Sequence, residues 1–218
     1  MNQTMTALVL ENFGDDKFAR KELPVPQPQA GQVLVRVHAS GVNPIDYKIR
    51  LGEAPYAMPQ LPAVQGTDMA GEVVAVGEGV TQFRVGDEVY GLTGGVRGLQ
   101  GSLAEFIAAD ADLLAIKPRN LSMREAAALP LTFLTAWSGL VDNANVQAGQ
   151  HVLVQGGAGG VGNMVVQLAN ALGAKVAATG CTADQELITT LGAFPLDYTK
   201  VSTQDIMNRS GFPGEYFA

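Results

Sequence analysis

Residues 149–162 read GQHVLVQGGAGGVG, and this glycine-dense run directly behind a short apolar strand restricts the fold more than any other part of the chain. Val152, Leu153 and Val154 predict a buried strand, and Gly156 to Gly160 a tight turn. Val161, Met164, Val165, Leu168, Ala169 and Leu172 then give the apolar stripe of a helix packed on a sheet. Lys175 to Thr179 predicts a second strand, which completes the strand-helix-strand unit in which a glycine fingerprint acquires meaning. Glycine lacks a Cβ, so the backbone can take positive φ and approach a pyrophosphate, toward which the helix start points its free N–H groups and its dipole. Gly156, Gly157, Ala158, Gly159, Gly160, Val161 and Gly162 are therefore the expected dinucleotide-binding residues. Gly157, Gly159 and Gly162 satisfy G-x-G-x-x-G, while Gly156, Gly159 and Gly162 satisfy G-x-x-G-x-x-G, and the spacing leaves both open. A side chain at Gly159, common to both, is expected to occupy the anion's place and to strain a positive φ.

At 218 residues and 47% hydrophobic composition the chain can build one large domain or two modest ones. The net charge of −7 argues against nucleic acid or an anionic membrane as partner. No apolar run approaches the length of a membrane span, and the start MNQTMTALVL lacks the order of a signal peptide, so the cytoplasm is the expected location. Cys181 is the single cysteine, which leaves no intrachain disulfide and no thiolate zinc site.

The chain reads as β at first and as α/β later. Ala7 to Leu10, Gln32 to Val37, Glu72 to Val76, Phe83 to Val89, Leu103 to Ala109 and Leu113 to Ile116 are the expected strands, with Pro24, Pro26 and Pro28 in an extended connection. Pro44 suits the start of a short helix over Ile45 to Arg50. Many short strands with glycine turns predict a partly open barrel. Ser122 with Glu125 forms a capping-box pattern, and Thr132 to Val141 is a second helical run, so the domain boundary is expected at residue 122. Beyond the second strand of the glycine unit the order supplies a third near residue 194 and the start of a fourth at Glu215 to Phe217.

The run from Gly149 through Gln167 resembles the zinc-independent quinone oxidoreductases (zeta-crystallin-like) of the medium-chain dehydrogenase/reductase superfamily. So do GVNPIDYKIRLG (41–52), LPAVQGTDMAGEVVAVGEGV (61–80), FRVGDEVYG (83–91), GSLAEF (101–106) and AAALPLTFLTAW (126–137), in the same order along nearly the whole chain. The resemblance implies an α/β protein: a chaperonin-10-like, partly open β-barrel catalytic domain over residues 1–122, then a Rossmann doubly wound parallel sheet over 123–218. The second domain is expected to be truncated, because such a sheet has six strands.

The resemblance also bears on the chemistry. Zinc alcohol dehydrogenases of the superfamily carry a cysteine at or beside Asn43 and a Gly-His-Glu at Gly66-Thr67-Asp68, and neither ligand is present. Without a Lewis acid to lower an alcohol's pKa, reduction of an activated acceptor is favoured over alcohol oxidation. The implied reaction is hydride transfer from NADPH, with NADH as the alternative, to a quinone or an α,β-unsaturated carbonyl; a nucleotide-binding sensor or crystallin-like protein without turnover is the competing reading. By resemblance Asn43, Tyr47 and Tyr56 line the acceptor pocket, and Thr135 meets the nicotinamide end. Asp46 reads more simply as a carboxylate at a helix start. Gly180 and Cys181 close the second strand where an NAD-specific fold places an acid, and Tyr198 matches a tyrosine near the 2′-phosphate. Asp184 stands where the family often has a lysine for that phosphate, and it would repel the anion. His38 and His151 have no partner motif and read as structural or solvated. A homodimer or homotetramer is the implied assembly.

Overall fold

The computed structural model describes residues 3–202 and Asp205. The fourth strand expected at Glu215 to Phe217 lies outside the described residues. The chain divides into two compact units, Met1–Leu131 and Thr132–Ala218.

The first unit is antiparallel β. Its strands are β1 (Thr4–Leu10), β2 (Ala19–Pro24), β3 (Gln32–Ser40), β4 (Ala63–Val64), β5 (Asp68–Val76), β6 (Glu88–Leu92), β7 (Phe106–Asp110) and β8 (Leu114–Ile116). They form a five-stranded sheet in the order β7-β3-β5-β6-β8 and a three-stranded sheet in the order β2-β1-β4. An isolated bridge between Ala7 and Ala104 links β1 to the segment that precedes β7. The β-branched residues of β3 and β5 turn Val33, Val35 and Val73 into a core shared with Met69, Val89 and Ile107. The strand expected from Leu103 begins at Phe106, and larger departures concern Phe83 and β2. Phe83 is buried in this core from a loop, because Arg84 to Asp87 closes a turn in which the Arg84 N–H donates to Asp87 Oδ2 at 3.0 Å, and the strand starts only at Glu88. β2 has no counterpart among the expected strands: ARKELP is charged, and it pairs only with β1 at the sheet edge, where alternate side chains face solvent.

Helix α1 (Pro44–Leu51) forms as expected. Pro44 opens it, the Asp46 carboxylate accepts from the Asn43 N–H at 2.7 Å, and Gly52 ends it with φ +79°. Helix α2 (Met123–Ala127) starts on the Ser122–Glu125 capping box and packs on β3 and β5, which is why the first compact unit runs on to Leu131.

From Thr132 the second unit is α/β. Helix α3 (Pro130–Trp137) continues as a π-helical stretch over Ser138–Asn143. Strand β9 (His151–Val154), helix α4 (Gly160–Ala171), strand β10 (Lys175–Gly180), helix α5 (Gln185–Thr190) and strand β11 (Phe194–Asp197) follow. The strands are parallel in the order β11-β10-β9, the sequence of one half of a dinucleotide-binding sheet. Helix α4 packs on β9 and β10, α5 on β10 and β11, and Val154, Val166, Ala178 and Ile188 close the core between them.

Ile188 carries much of this core, since it is fully buried and its side chain reaches the space that two glycines leave open. Ile188→Ala is expected to destabilise the second unit by about 2–5 kcal/mol. The measurement is a lower urea midpoint at unchanged m-value, and a midpoint equal to the parent's would contradict this packing.

Candidate functional site

The turn between β9 and α4 assigns the glycines that spacing left ambiguous. Gly156 has φ +68° and makes the tight turn. Its N–H donates to Thr179 Oγ1 at 3.1 Å and the Gly157 N–H to the Thr179 carbonyl at 2.8 Å, so the turn is fastened to β10. A Cβ on Gly157 would lie 2.6 Å from that of Ala178, and one on Gly162 would lie 2.1 Å from the Gly156 carbonyl oxygen. These two are packing glycines, and both are buried. Gly159 differs. It is the N-cap of α4 with φ −70° and ψ 165°, which corrects the expectation of a positive φ there. A Cβ on it would meet only the Gly156 oxygen, at 3.3 Å. Gly159 and Gly160 are exposed, and the first bond of the helix, from the Asn163 N–H to the Gly159 carbonyl at 2.8 Å, leaves the amides of Gly160, Val161 and Gly162 ahead of it. An open, Cβ-free cradle in front of first-turn amides fits a pyrophosphate. Ala158 sits half-buried within the turn. Thr135, Val161 and Gly162 share the wall of an apolar cavity of about 340 Å³ with Leu140, Val154 and Val165.

The ends of β10 and β11 come together beside this turn, with Gly180 the register partner of Asp197. The Tyr198 N–H donates to the Gly180 carbonyl at 3.2 Å, and the Tyr198 side chain is exposed. Cys181 is half-buried, and its N–H donates to Asp184 Oδ2 at 2.9 Å.

In the first unit the expected acceptor residues separate. Tyr47 and Tyr56 are exposed, on α1 and in the turn after it. Asn43 is buried and faces inward, its amide donating to Asp68 Oδ2 at 2.8 Å and to Thr67 Oγ1 at 3.2 Å, so both of its N–H groups are engaged. The reason is Asp68. This fully buried carboxylate, at the head of an apolar strand, needs donors, and it takes them from Asn43 and from the Leu131 N–H, 3.1 Å from Oδ1. Burial pushes the Asp68 carboxyl up to about 6, against its hydrogen bonds and with help from the neighbouring Asp46 charge. Burial also raises Asp46. In the sequence Asp68 stands out only as the position of a missing ligand. An aspartate opening DMAGEVVAV is the available signal for more, because such a strand offers no solvent to a charge. Among the described residues no three His, Cys, Asp or Glu side chains converge as a metal site would require.

Two outcomes follow from this geometry. Gly159→Val is expected to leave the fold intact and to remove dinucleotide binding, whereas Gly162→Ala should destabilise the unit itself by driving α4 off the Gly156 carbonyl; circular dichroism with cofactor titration separates them, and retained binding in Gly159→Val would deny the turn its role. For Asp68 the folded state keeps its proton up to about 6 while the unfolded chain releases it near 3.8, so the folded state binds more protons in between. Stability must therefore fall as pH rises through that window, with Asp46 adding to the slope in the same direction. Asp68→Asn should flatten the profile of chemical denaturation against pH there, and an unchanged slope would count against the assignment.

The profile of the Alcohol dehydrogenase GroES-like domain matches residues 29–119. The 2-methylene-furan-3-one reductase of Solanum lycopersicum is 46% identical over 85% of this chain and 49% of its own length. The NADPH-dependent alkenal/one oxidoreductase of Arabidopsis thaliana is 41% identical over 94% and 55%, and the quinone oxidoreductase of Sus scrofa 38% identical over 84% and 55%. The solved structure of an alcohol dehydrogenase superfamily protein from Novosphingobium aromaticivorans superposes with a TM-score of 0.92 at 54% identity, over 95% of this chain and 63% of that one. The chain thus spans about half the length of the curated relatives it matches. With a GroES-like antiparallel unit, a glycine turn opening a parallel sheet and these relatives, the chain belongs to the quinone oxidoreductase family of the medium-chain dehydrogenase/reductase superfamily.

Proposed function

We propose that the protein is a zinc-independent, NADPH-dependent reductase that transfers hydride to a quinone or an α,β-unsaturated carbonyl. The observations that carry the reading are an open glycine turn at Gly156–Gly162 and a hydrogen-bonded Asn43–Thr67–Asp68 network, which by the family resemblance occupies the positions of the zinc ligands of alcohol dehydrogenases. The names of the relatives, an NADPH-dependent alkenal/one oxidoreductase and a quinone oxidoreductase among them, support the cofactor and the acceptor class.

NADPH, when bound, supplies the hydride. The chain's own contribution is to hold, orient and stabilise. The first-turn amides after Gly159 bind the pyrophosphate, Thr135 borders the nicotinamide end, and Gly180, Cys181 and Tyr198 border the adenosine ribose. Hydride addition to either acceptor places negative charge on an oxygen, so hydrogen-bond donors matter more than a base. Tyr47 and Tyr56 expose hydroxyls suited to that task. Asn43 works from inside, fixing Thr67 and Asp68. Residues 1–122 serve the acceptor and 123–218 the nucleotide. The cytoplasmic location and the homodimeric or homotetrameric assembly rest on the sequence reading and the family.

The test is acceptor-driven oxidation of NADPH by the full-length protein across quinones, alkenals and alcohols. Turnover is expected with quinones and alkenals, unchanged by chelators, and NADPH should raise the melting temperature more than NADH. Binding of NADPH without oxidation by any acceptor would overturn the reading, as would chelator-sensitive oxidation of alcohols.

A further inference from the structure

In a fold of this kind the choice between the two nicotinamide cofactors is made near the end of the second strand, beside which β11 also ends here, since Gly180 and Asp197 are register partners. The ends of β10 and β11 carry two carboxylates: Asp184 is turned into its own loop, and Asp197 bridges its own loop to the turn after β10. Asp184 Oδ2 accepts the Cys181 N–H and closes the turn after β10. Asp197 accepts the Thr182 hydroxyl at 2.6 Å, the Thr199 hydroxyl at 2.6 Å and the Thr199 N–H at 2.9 Å. These donors hold the Asp197 carboxyl well below the usual carboxylate range. A ribose diol is recognised by a carboxylate directed out at the ligand, and both of these are engaged within the protein.

Positive charge is scarcer still. From Thr132 to Ser202 the chain contains only two lysines and no arginine. Lys175 opens β10 and so stands at the far end of the strand from the glycine turn. Lys200 lies just past the end of β11, two residues after Tyr198, with its side chain 63% exposed and its ammonium 3.1 Å from Asp197 Oδ2. Asp197 already has three other donors, so it does not depend on this ammonium, and an exposed ion pair is weakly held. Two of the three ammonium N–H groups remain available to an anion.

We infer that Lys200 is the residue that recognises the 2′-phosphate of NADPH, supplying from the end of β11 the positive charge that Asp184 denies to the end of β10. The inference rests on the NADPH reading above. Its chemistry is a charge-assisted contact from a mobile point charge to a phosphate dianion, with the exposed Tyr198 hydroxyl as a neutral neighbour on the same strand end.

The experiment measures binding to the full-length protein of four probes: NADPH, NADH, 2′,5′-ADP and 5′-AMP. Lys200→Gln is expected to weaken NADPH and 2′,5′-ADP by about tenfold and to leave NADH and 5′-AMP within about twofold, the size of one lost charge-assisted contact. Lys200→Arg should restore the preference. Because the side chain is exposed, both variants should fold, which circular dichroism checks. If Lys200→Gln weakens all four probes alike, the lysine acts through Asp197 on the loop, and the inference is overturned while the NADPH reading stands. It is overturned equally if the substitution weakens none of them. A parent protein that binds none of the four overturns both.

Discussion

The α/β unit of this protein depends on a contact between two glycines. The carbonyl of Gly156 occupies the place that a Cβ of residue 162 would need, and that approach lets α4 begin directly over the end of β9. Everything around the turn is arranged to keep it. Gly157 presses on Ala178, the Gly156 and Gly157 amides are fastened to Thr179, and Val166 and Ile188 fill the interior behind them. Because the turn is tied to β10 and not only to its own strand, the first-turn amides face outward from a rigid base. Pre-organised donors of this kind bind an anion without first having to be ordered.

The first unit solves a different problem. The buried aspartate at residue 68, at the head of a largely apolar strand, makes no ion pair among the described residues, and the chain stabilises it with N–H donors from Asn43 and Leu131. Neutral donors soften the cost of desolvation without removing it, which is why the carboxyl stays shifted upward. The same arrangement explains why Asn43 points inward. Its amide is more strongly required by the buried carboxylate than by any group outside.

Much of this was legible in the sequence. The glycine unit, the strand-helix-strand order, the capping box at Ser122 and the Pro44 helix start all follow from local chemistry, and each appears where local chemistry places it. What sequence could not settle depends on distance between remote residues. The roles of Gly157 and Gly162 are defined by Ala178 and Gly156, and no spacing rule distinguishes a glycine that leaves room for a ligand from one that leaves room for a neighbour. β2 is hidden in the sequence because an edge strand needs no apolar alternation beyond one face, and the shift of β6 comes from a turn that buries Phe83 without placing it in a strand. The inward pose of Asn43 is hidden for the same reason, since its partners lie 24 and 25 residues away along the chain.

On the proposed NADPH reading, Gly180 bears on how such a protein could change its cofactor. A shift toward the unphosphorylated dinucleotide asks for an acidic side chain at the end of β10, and the strand's last residue is the obvious place to acquire one. That route is closed here, because a Cβ at 180 would lie 2.6 Å from Ile188 Cδ1 and 2.8 Å from Asp184 Cβ. Shortening residue 188 would leave the contact with Asp184 in place, so an acid is more readily placed one residue later, at the half-buried Cys181. The end of β10 thus offers an acid one position, residue 181, that asks for no change in the packing of Ile188 or Asp184, whereas position 180 asks both neighbours to move.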